Sequence, residues 1–165
     1  MRRPLLGRAE RGAAAVEFAL LVIPLLVILV GITEFGRALY SYNTLAKAAR
    51  DAARLMSTQA PGDPDYGALV ARARCTAVYG NATCTGSPLV HGLALEMVSI
   101  CDPASCPGTH AGVPLGTGVA NLVTVTIGGA GSPFVYQSFA PFAPALFGID
   151  SLAFGAIGVT LRQAL

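Results

Sequence analysis

Four cysteines, Cys75, Cys84, Cys101 and Cys106, are the residues of this 165-residue chain best suited to covalent chemistry. Four cysteines allow three disulfide connectivities. The least demanding joins Cys75 to Cys84 and Cys101 to Cys106, because each bridge closes a short loop. In an oxidising compartment each such bridge adds about 2–3 kcal/mol to a small domain. Zinc is the other chemistry open to cysteines. Common structural zinc sites pair two C-x2–4-C knuckles; Cys101 and Cys106 stand at the edge of that range, and Cys75 and Cys84 are too far apart to supply the second. The C-x-x-C of a redox enzyme is missing. The cysteines therefore predict disulfides, with no metal and no cofactor. His91 and His110 stand alone, and His110 reads as a solvated loop residue. No Ser–His–Asp or paired-carboxylate arrangement can be assembled. The run Gly128-Gly129-Ala130-Gly131 lacks the lysine and the strand–helix context of a phosphate loop and reads as a turn. Asn81-Ala82-Thr83 spells a glycosylation sequon, a pattern short enough to arise by chance.

One carboxylate stands apart from these. Between Ala13 and Thr33 the only charged residue is Glu17. That run is about the length a helix needs to cross the roughly 30 Å hydrocarbon layer of a membrane. A carboxylate near one end of such a span costs a few kcal/mol unless it is paired or lies at the interface. Glu17 follows Gly12 by five residues. A peptidase cutting after Gly12 would give Ala13 a new α-ammonium and make Glu17 the fifth residue of the mature chain. Among packed helices that acid can pair with the ammonium of a neighbouring subunit, so burial would favour docking.

The elements that position these residues follow from composition. The chain is 53% hydrophobic and 12% charged, whereas soluble domains carry about 25% charged residues. That argues against an ordinary cytosolic enzyme and excludes a disordered chain. A net charge of +2 is too small to indicate a nucleic-acid partner. Arg2, Arg3, Arg8 and Arg11 precede the apolar run, and Arg37 is the first basic residue after it. This asymmetry predicts a cytoplasmic N-terminus and an external remainder. Pro24 removes one backbone donor in mid-run and predicts a kink. A secretory signal would need a shorter core and a small-residue cleavage site. Here the core runs directly into Glu34-Phe35-Gly36-Arg37.

The basic leader, Gly12, the small apolar residues, Glu17-Phe18 and the long apolar helix resemble the prepilin-peptidase site of type IV pilin-like proteins. Three blocks extend the likeness: Ala15-Val16-Glu17-Phe18-Ala19-Leu20, Glu34-Phe35-Gly36-Arg37 and Ala48-Ala49-Arg50-Asp51-Ala52-Ala53-Arg54. Together they resemble the TadE-like domain of pseudopilins in the tight-adherence (Tad, or Flp) pilus system. The likeness is dense over about residues 12 to 57. It implies processing between Gly12 and Ala13, subunit docking through Glu17 and Phe18, and a non-catalytic role; the alternatives are an uncleaved membrane-anchored scaffold subunit of the pilus apparatus and an anchored periplasmic enzyme. The partners it implies are the prepilin peptidase, other TadE- and TadF-type pseudopilins, the major pilin and the inner-membrane platform protein.

Beyond the apolar run, Phe35, Leu39, Tyr42, Ala46, Ala49, Ala53 and Met56 recur at alternating steps of four and three, a continuous stripe on one helix face. Pro61-Gly62 predicts the end of that helix. Asp63 as cap and Pro64 at the first position predict a second helix that ends at Gly80. Strands are predicted over Leu93–Ile100, over Asn121–Ile127, and over Ser151–Leu161 with Leu152, Phe154, Ala156 and Gly158 on one face. A short helix is predicted around Pro144–Phe147. The expected fold class is α+β: a long N-terminal transmembrane helix continuing into a small external domain with a second helix and about three antiparallel strands. The expected organisation is a leader over 1–12, a membrane segment over 13–33 and an external domain over 34–165, with helices at 34–60 and 63–80 and a sheet region at 89–165. The expected setting is the lipid bilayer of a bacterial inner membrane, crossed once, with the external domain in the periplasm or in a pilus. Removing residues 1–12 takes away four arginines and one glutamate, which moves the net charge from +2 to −1.

Overall fold

The computed structural model describes residues 9–116, 118–129, 131–138 and 151–163. Its first element is one helix, α1, Ala9–Met56, with Pro24 inside it. At 1.5 Å per residue, 48 residues make a helix about 72 Å long. Most of its residues are alanine, leucine and other good helix formers, so the single bond lost at Pro24 does not interrupt it. Two hydroxyls bond back to the helix itself: Thr33 Oγ1 donates to the Leu29 carbonyl and Thr44 Oγ1 to the Tyr40 carbonyl, both at 2.8 Å. Neither therefore needs water or an outside partner.

The chain divides into two compact units, residues 1–37 with 138–150 and residues 38–137 with 151–165. In the first, the described structure is the N-terminal part of α1 and Ser138.

In the second unit α1 ends at Met56, ahead of the expected stop at Pro61-Gly62, and a turn follows in which Ser57 N–H donates to the Ala53 carbonyl at 2.9 Å. The second helix, α2, is Tyr66–Tyr79 rather than 63–80. Asp63 does not cap it. Its carboxylate accepts from Ala60 N–H at 3.2 Å, which closes the preceding turn, and Asp65 takes the cap position without a side-chain bond. Gly80 ends α2 as expected, in the left-handed region at φ 72° that glycine adopts without strain.

Leu95–Met97 forms a 3₁₀ turn, so β1 is only Val98–Cys101. A one-turn helix, α3, Pro107–His110, leads to β2, Val113–Leu115, and to the central strand β3, Gly118–Ile127. β4, Val135–Gln137, pairs with β5, Ser151–Ala153, as a separate ladder. The last strand is β6, Ile157–Gln163. β3 pairs antiparallel with β1 along Thr124–Ile127, with β2 along Gly118–Ala120 and with β6 along Asn121–Ile127. Among the described residues, the expected three or so strands are a four-stranded sheet, β1, β2 and β6 around β3, plus the β4–β5 pair. The single strand expected over Ser151–Leu161 is two strands in different sheets. Its inward face is also the opposite one: Ile157, Val159, Leu161 and Gln163 are buried or half-buried, while Gly158 is exposed. The helix expected around Pro144–Phe147 lies outside the described residues.

The core joins Leu45, Ala48, Ala49, Ala52, Ala53 and Met56 of α1 to Tyr66, Leu69, Ala73, Ala77 and Val78 of α2. Val98, Val123, Val125, Ile127 and Ile157 of the sheet and the loop residue Phe134 complete it. The buried face of α1 is therefore centred on Leu45, Ala48 and Ala52 as well as Ala49, Ala53 and Met56. The upper part of the expected stripe, Phe35, Leu39 and Tyr42, is exposed. The largest fully buried side chains are Phe134, Leu45 and Met56, with Ile127, Val78, Val123 and Val125, so helices, sheet and loop all contribute bulk to the core. Gly128, at φ 73°, lets the chain turn off β3: a Cβ there would lie 3.0 Å from the Phe134 nitrogen.

Candidate functional site

Two groups of residues carry chemistry, one in each unit. In the first unit, Gly12, Ala13, Glu17 and Phe18 all lie in α1 and are exposed. Ala13 and Glu17 are four residues apart and share one helix face. A Cβ at Gly12 would meet nothing within 4 Å, so packing within the chain does not require glycine there. From Val16 to Ile32, ten large apolar residues (Val16, Phe18, Leu20, Leu21, Ile23, Leu25, Leu26, Ile28, Leu29 and Ile32) are each more than half exposed. The most apolar window of this helix has a mean hydropathy of 2.8, and none of it is buried within the chain. At about 1–2 kcal/mol for each half-exposed side chain, leaving these ten in water costs roughly 10–20 kcal/mol. That matches or exceeds the whole stability of an ordinary domain, about 5–15 kcal/mol. The helix is long and apolar enough to cross a membrane, and lipid or other apolar helices are what its surface fits.

In the second unit, the cysteines form two bridges. Cys75 is joined to Cys84 and Cys101 to Cys106, with Cα separations of 4.7 and 5.5 Å. The first ties α2 to the loop that follows it. Asn81 shapes that loop: its Oδ1 accepts from the N–H groups of Thr83 and Thr85, each at 3.1 Å, and its Nδ2 donates to the Thr85 carbonyl at 2.8 Å. The sequon asparagine thus organises a turn. The second bridge clamps the turn from Asp102 to Cys106, in which Cys106 N–H donates to the Asp102 carbonyl at 2.7 Å.

That turn presents a buried carboxylate to the rest of the domain. Asp102 Oδ1 accepts from the Ser105 N–H and from the Ser105 hydroxyl, both at 2.7 Å. Its Oδ2 accepts from the Tyr66 hydroxyl at 2.7 Å. Gln163 Nε2 donates to the same Tyr66 oxygen at 2.7 Å and to the Met56 carbonyl at 3.2 Å. One polar chain therefore links the end of α1, the start of α2, the loop after β1 and the end of β6. Burial alone would raise the Asp102 pKa, but the bonds from Ser105, Tyr66 and the Ala104 N–H outweigh it and hold the carboxyl below its ordinary value. The Tyr66 hydroxyl is pushed up to about 12, mainly by burial, which the Gln163 bond opposes and the Asp102 carboxylate reinforces. Nothing in the spacing of Tyr66, Asp102 and Gln163 marks them as partners. Only the Asp102-Pro103 pair gives a local signal, that of a turn.

His110 is not solvated, contrary to the sequence expectation. It is half-buried, with Nε2 2.8 Å from Thr124 Oγ1, and Nδ1 2.7 Å from Thr109 Oγ1 and 3.5 Å from Cys101 Sγ. Thr124 Oγ1 lies in turn 2.7 Å from Thr160 Oγ1 across the sheet. His91 is exposed. Lys47 and Asp51, a helical pair on the sequence pattern, line an open groove of about 490 Å³ with Tyr40, Asn43, Thr44 and Leu89.

Residues 12–54 match the family model described as TadE-like protein. The match lies entirely within α1, covers the exposed apolar run and ends two residues before the helix does. It is consistent with a TadE-like pilin of Tad pilus systems. No curated protein and no solved structure matches the chain.

Proposed function

We propose, from the TadE-like match over residues 12–54, that the chain is a minor pilin, or pseudopilin, required to assemble a tight-adherence type pilus. The observation that carries this reading is the coincidence of that match with ten exposed apolar residues on one unbroken helix. The helix anchors the chain in the bacterial inner membrane by a single pass over residues 13–33. The leader over 1–12 stays cytoplasmic, and residues 34–165 form the external domain. Prepilin peptidase cuts between Gly12 and Ala13. Glu17 then draws the helix to a neighbour by pairing with its ammonium, while Phe18 packs beside it. The role is mechanical rather than catalytic. Related pseudopilins, the major pilin and the platform protein are its partners.

One observation favours a second reading, that of an uncleaved anchored scaffold subunit. Helix α1 begins at Ala9, so the Gly12–Ala13 bond lies inside it, and a peptidase needs that turn unwound. Intact mass of the membrane-extracted chain separates the two. A chain beginning at Ala13 is expected for the pilin. Retention of Met1 leaves the scaffold, and a cut beyond Thr33 overturns both.

A further inference from the structure

The Cys101–Cys106 bridge has a histidine beside it that disulfide chemistry does not need. Cys101, Cys106 and His110 each offer one ligand atom, and these atoms lie within 4.8 Å of one another in a half-buried setting. From this cluster we infer a redox-exchangeable clamp: oxidised, the two sulfurs bond to each other; reduced, Cys101, Cys106 and His110 hold a thiophilic divalent cation of the zinc type. The inference goes beyond the assembly role and departs from the expectation that the cysteines hold no metal.

The geometry suits the ion. A tetrahedral zinc with Zn–S of about 2.3 Å and Zn–N of about 2.05 Å has an S···N edge of about 3.5 Å. Cys101 Sγ and His110 Nδ1 already stand 3.5 Å apart. The sulfur pair must open to about 3.8 Å across the ion, and Cys106 Sγ, within 4.8 Å of the histidine, must come to the same edge as Cys101; rotation about the side-chain bonds allows both with Cα atoms 5.5 Å apart. The histidine is held ready by a second contact. Nε2 lies 2.8 Å from Thr124 Oγ1, itself bonded to Thr160 on the rigid sheet. With Nε2–H donating there, Nδ1 keeps its lone pair, with Thr109 Oγ1 at 2.7 Å and Cys101 Sγ at 3.5 Å beside it, and such a second contact is how metal-ligating histidines are usually held. Thr109 Oγ1, 2.7 Å from Nδ1, is displaced by the ion. Water fills the fourth position.

The exchange balances with a dithiol as reductant. Its two thiols give two electrons and two protons to the bridge, producing two cysteine thiols and the disulfide of the reductant. Metal binding then releases two protons as the thiols become thiolates. In either state the turn from Asp102 to Cys106 stays closed, so the Asp102 carboxylate keeps facing Tyr66.

The test uses the full chain in detergent, reduced with a phosphine under anaerobic conditions, freed of excess reductant and titrated with cobalt(II). Uptake of one cobalt with sulfur-to-metal charge-transfer bands is expected, at micromolar Kd or tighter, with displacement by zinc. His110→Ala should weaken binding at least tenfold, and Thr124→Val about tenfold. The Cys75→Ser/Cys84→Ser variant should bind unchanged, and Cys101→Ser/Cys106→Ser should lose the bands. The reduced chain should melt at a higher temperature with metal than without. No cobalt uptake, whether or not the reduced chain keeps its circular dichroism, overturns the inference. So does uptake that ignores His110→Ala or that requires Cys75 and Cys84.

Discussion

Replacing Tyr66 with phenylalanine removes one oxygen and opens two bonds in the buried network. The hydroxyl donates to the Asp102 carboxylate at 2.7 Å and accepts from Gln163 Nε2 at 2.7 Å. A buried bond to a charged acceptor contributes about 1.5–3 kcal/mol and a neutral one about 1 kcal/mol. Asp102 keeps its two bonds from Ser105, and Gln163 keeps the Met56 carbonyl. The apolar ring stays in place, so no cavity term enters. The expected loss is about 2.5–4 kcal/mol. At about 4 °C per kcal/mol for a domain of this size, Tm should fall by roughly 10–15 °C. Thermal unfolding of the full chain in detergent, followed by circular dichroism, measures it. Tyr40→Phe is the control: Tyr40 is 73% exposed, and its loss of a hydroxyl should shift Tm by about a degree or less. A Tyr66→Phe variant that melts within about 2 °C of the parent would refute the claim that this network ties the helices to the sheet.

The same network sets a pH window. Asp102 titrates below its ordinary value in the folded chain, so its contribution is complete above the unfolded carboxyl pKa of about 3.9 and is lost as pH falls below that. Tyr66 is raised to about 12, so its contribution is complete below about pH 10 and is lost between there and about pH 12. Melting against pH should show the alkaline loss in the parent and a smaller one in Tyr66→Phe; equal losses would contradict the assignment. Cys75→Ser/Cys84→Ser opens a loop of sequence separation 9 and should lower stability by about 2–3 kcal/mol, read as a Tm fall of roughly 10 °C. Gly128→Ala places a Cβ against the Phe134 backbone at a positive φ; a loss of about 1–3 kcal/mol is expected from the same melts.

How far the sequence revealed the structure differs element by element. The apolar run before Thr33 was evident because a membrane helix needs no alternation to be recognised, only length and freedom from charge. Asn121–Ile127 was evident because Val123, Val125 and Ile127 alternate with polar neighbours. The final strand was misread because Leu152, Phe154, Ala156 and Gly158 alternate with Ile157, Val159 and Leu161 in the opposite phase. A one-residue change of phase exchanges the two faces of a strand, and the non-strand residues Phe154–Ala156 hide that change. Phe154 instead packs with Phe134, Tyr136 and Tyr42, the ring centroids 5.6–6.2 Å apart. The stripe on α1 is evident from its spacing and its lower half, Ala49, Ala53 and Met56, is buried, but spacing does not say where a partner surface ends: Phe35 and Leu39 are exposed, and Tyr42, also exposed, meets the Phe154 ring edge-on. Tyr66, Asp102 and Gln163 meet across 36 and 97 residues of sequence separation, beyond the reach of any local pattern. His110 gave no signal either, since its partners Thr124 and Cys101 come to it only through the β1–β3 pairing.

Counting surface pili on cells that lack the chain tests its assembly role most directly. Pili should disappear, return with the parent chain, and fail to return with Glu17→Ala. Normal piliation without the chain would contradict the assembly role, and full rescue by Glu17→Ala would remove the carboxylate from the docking step.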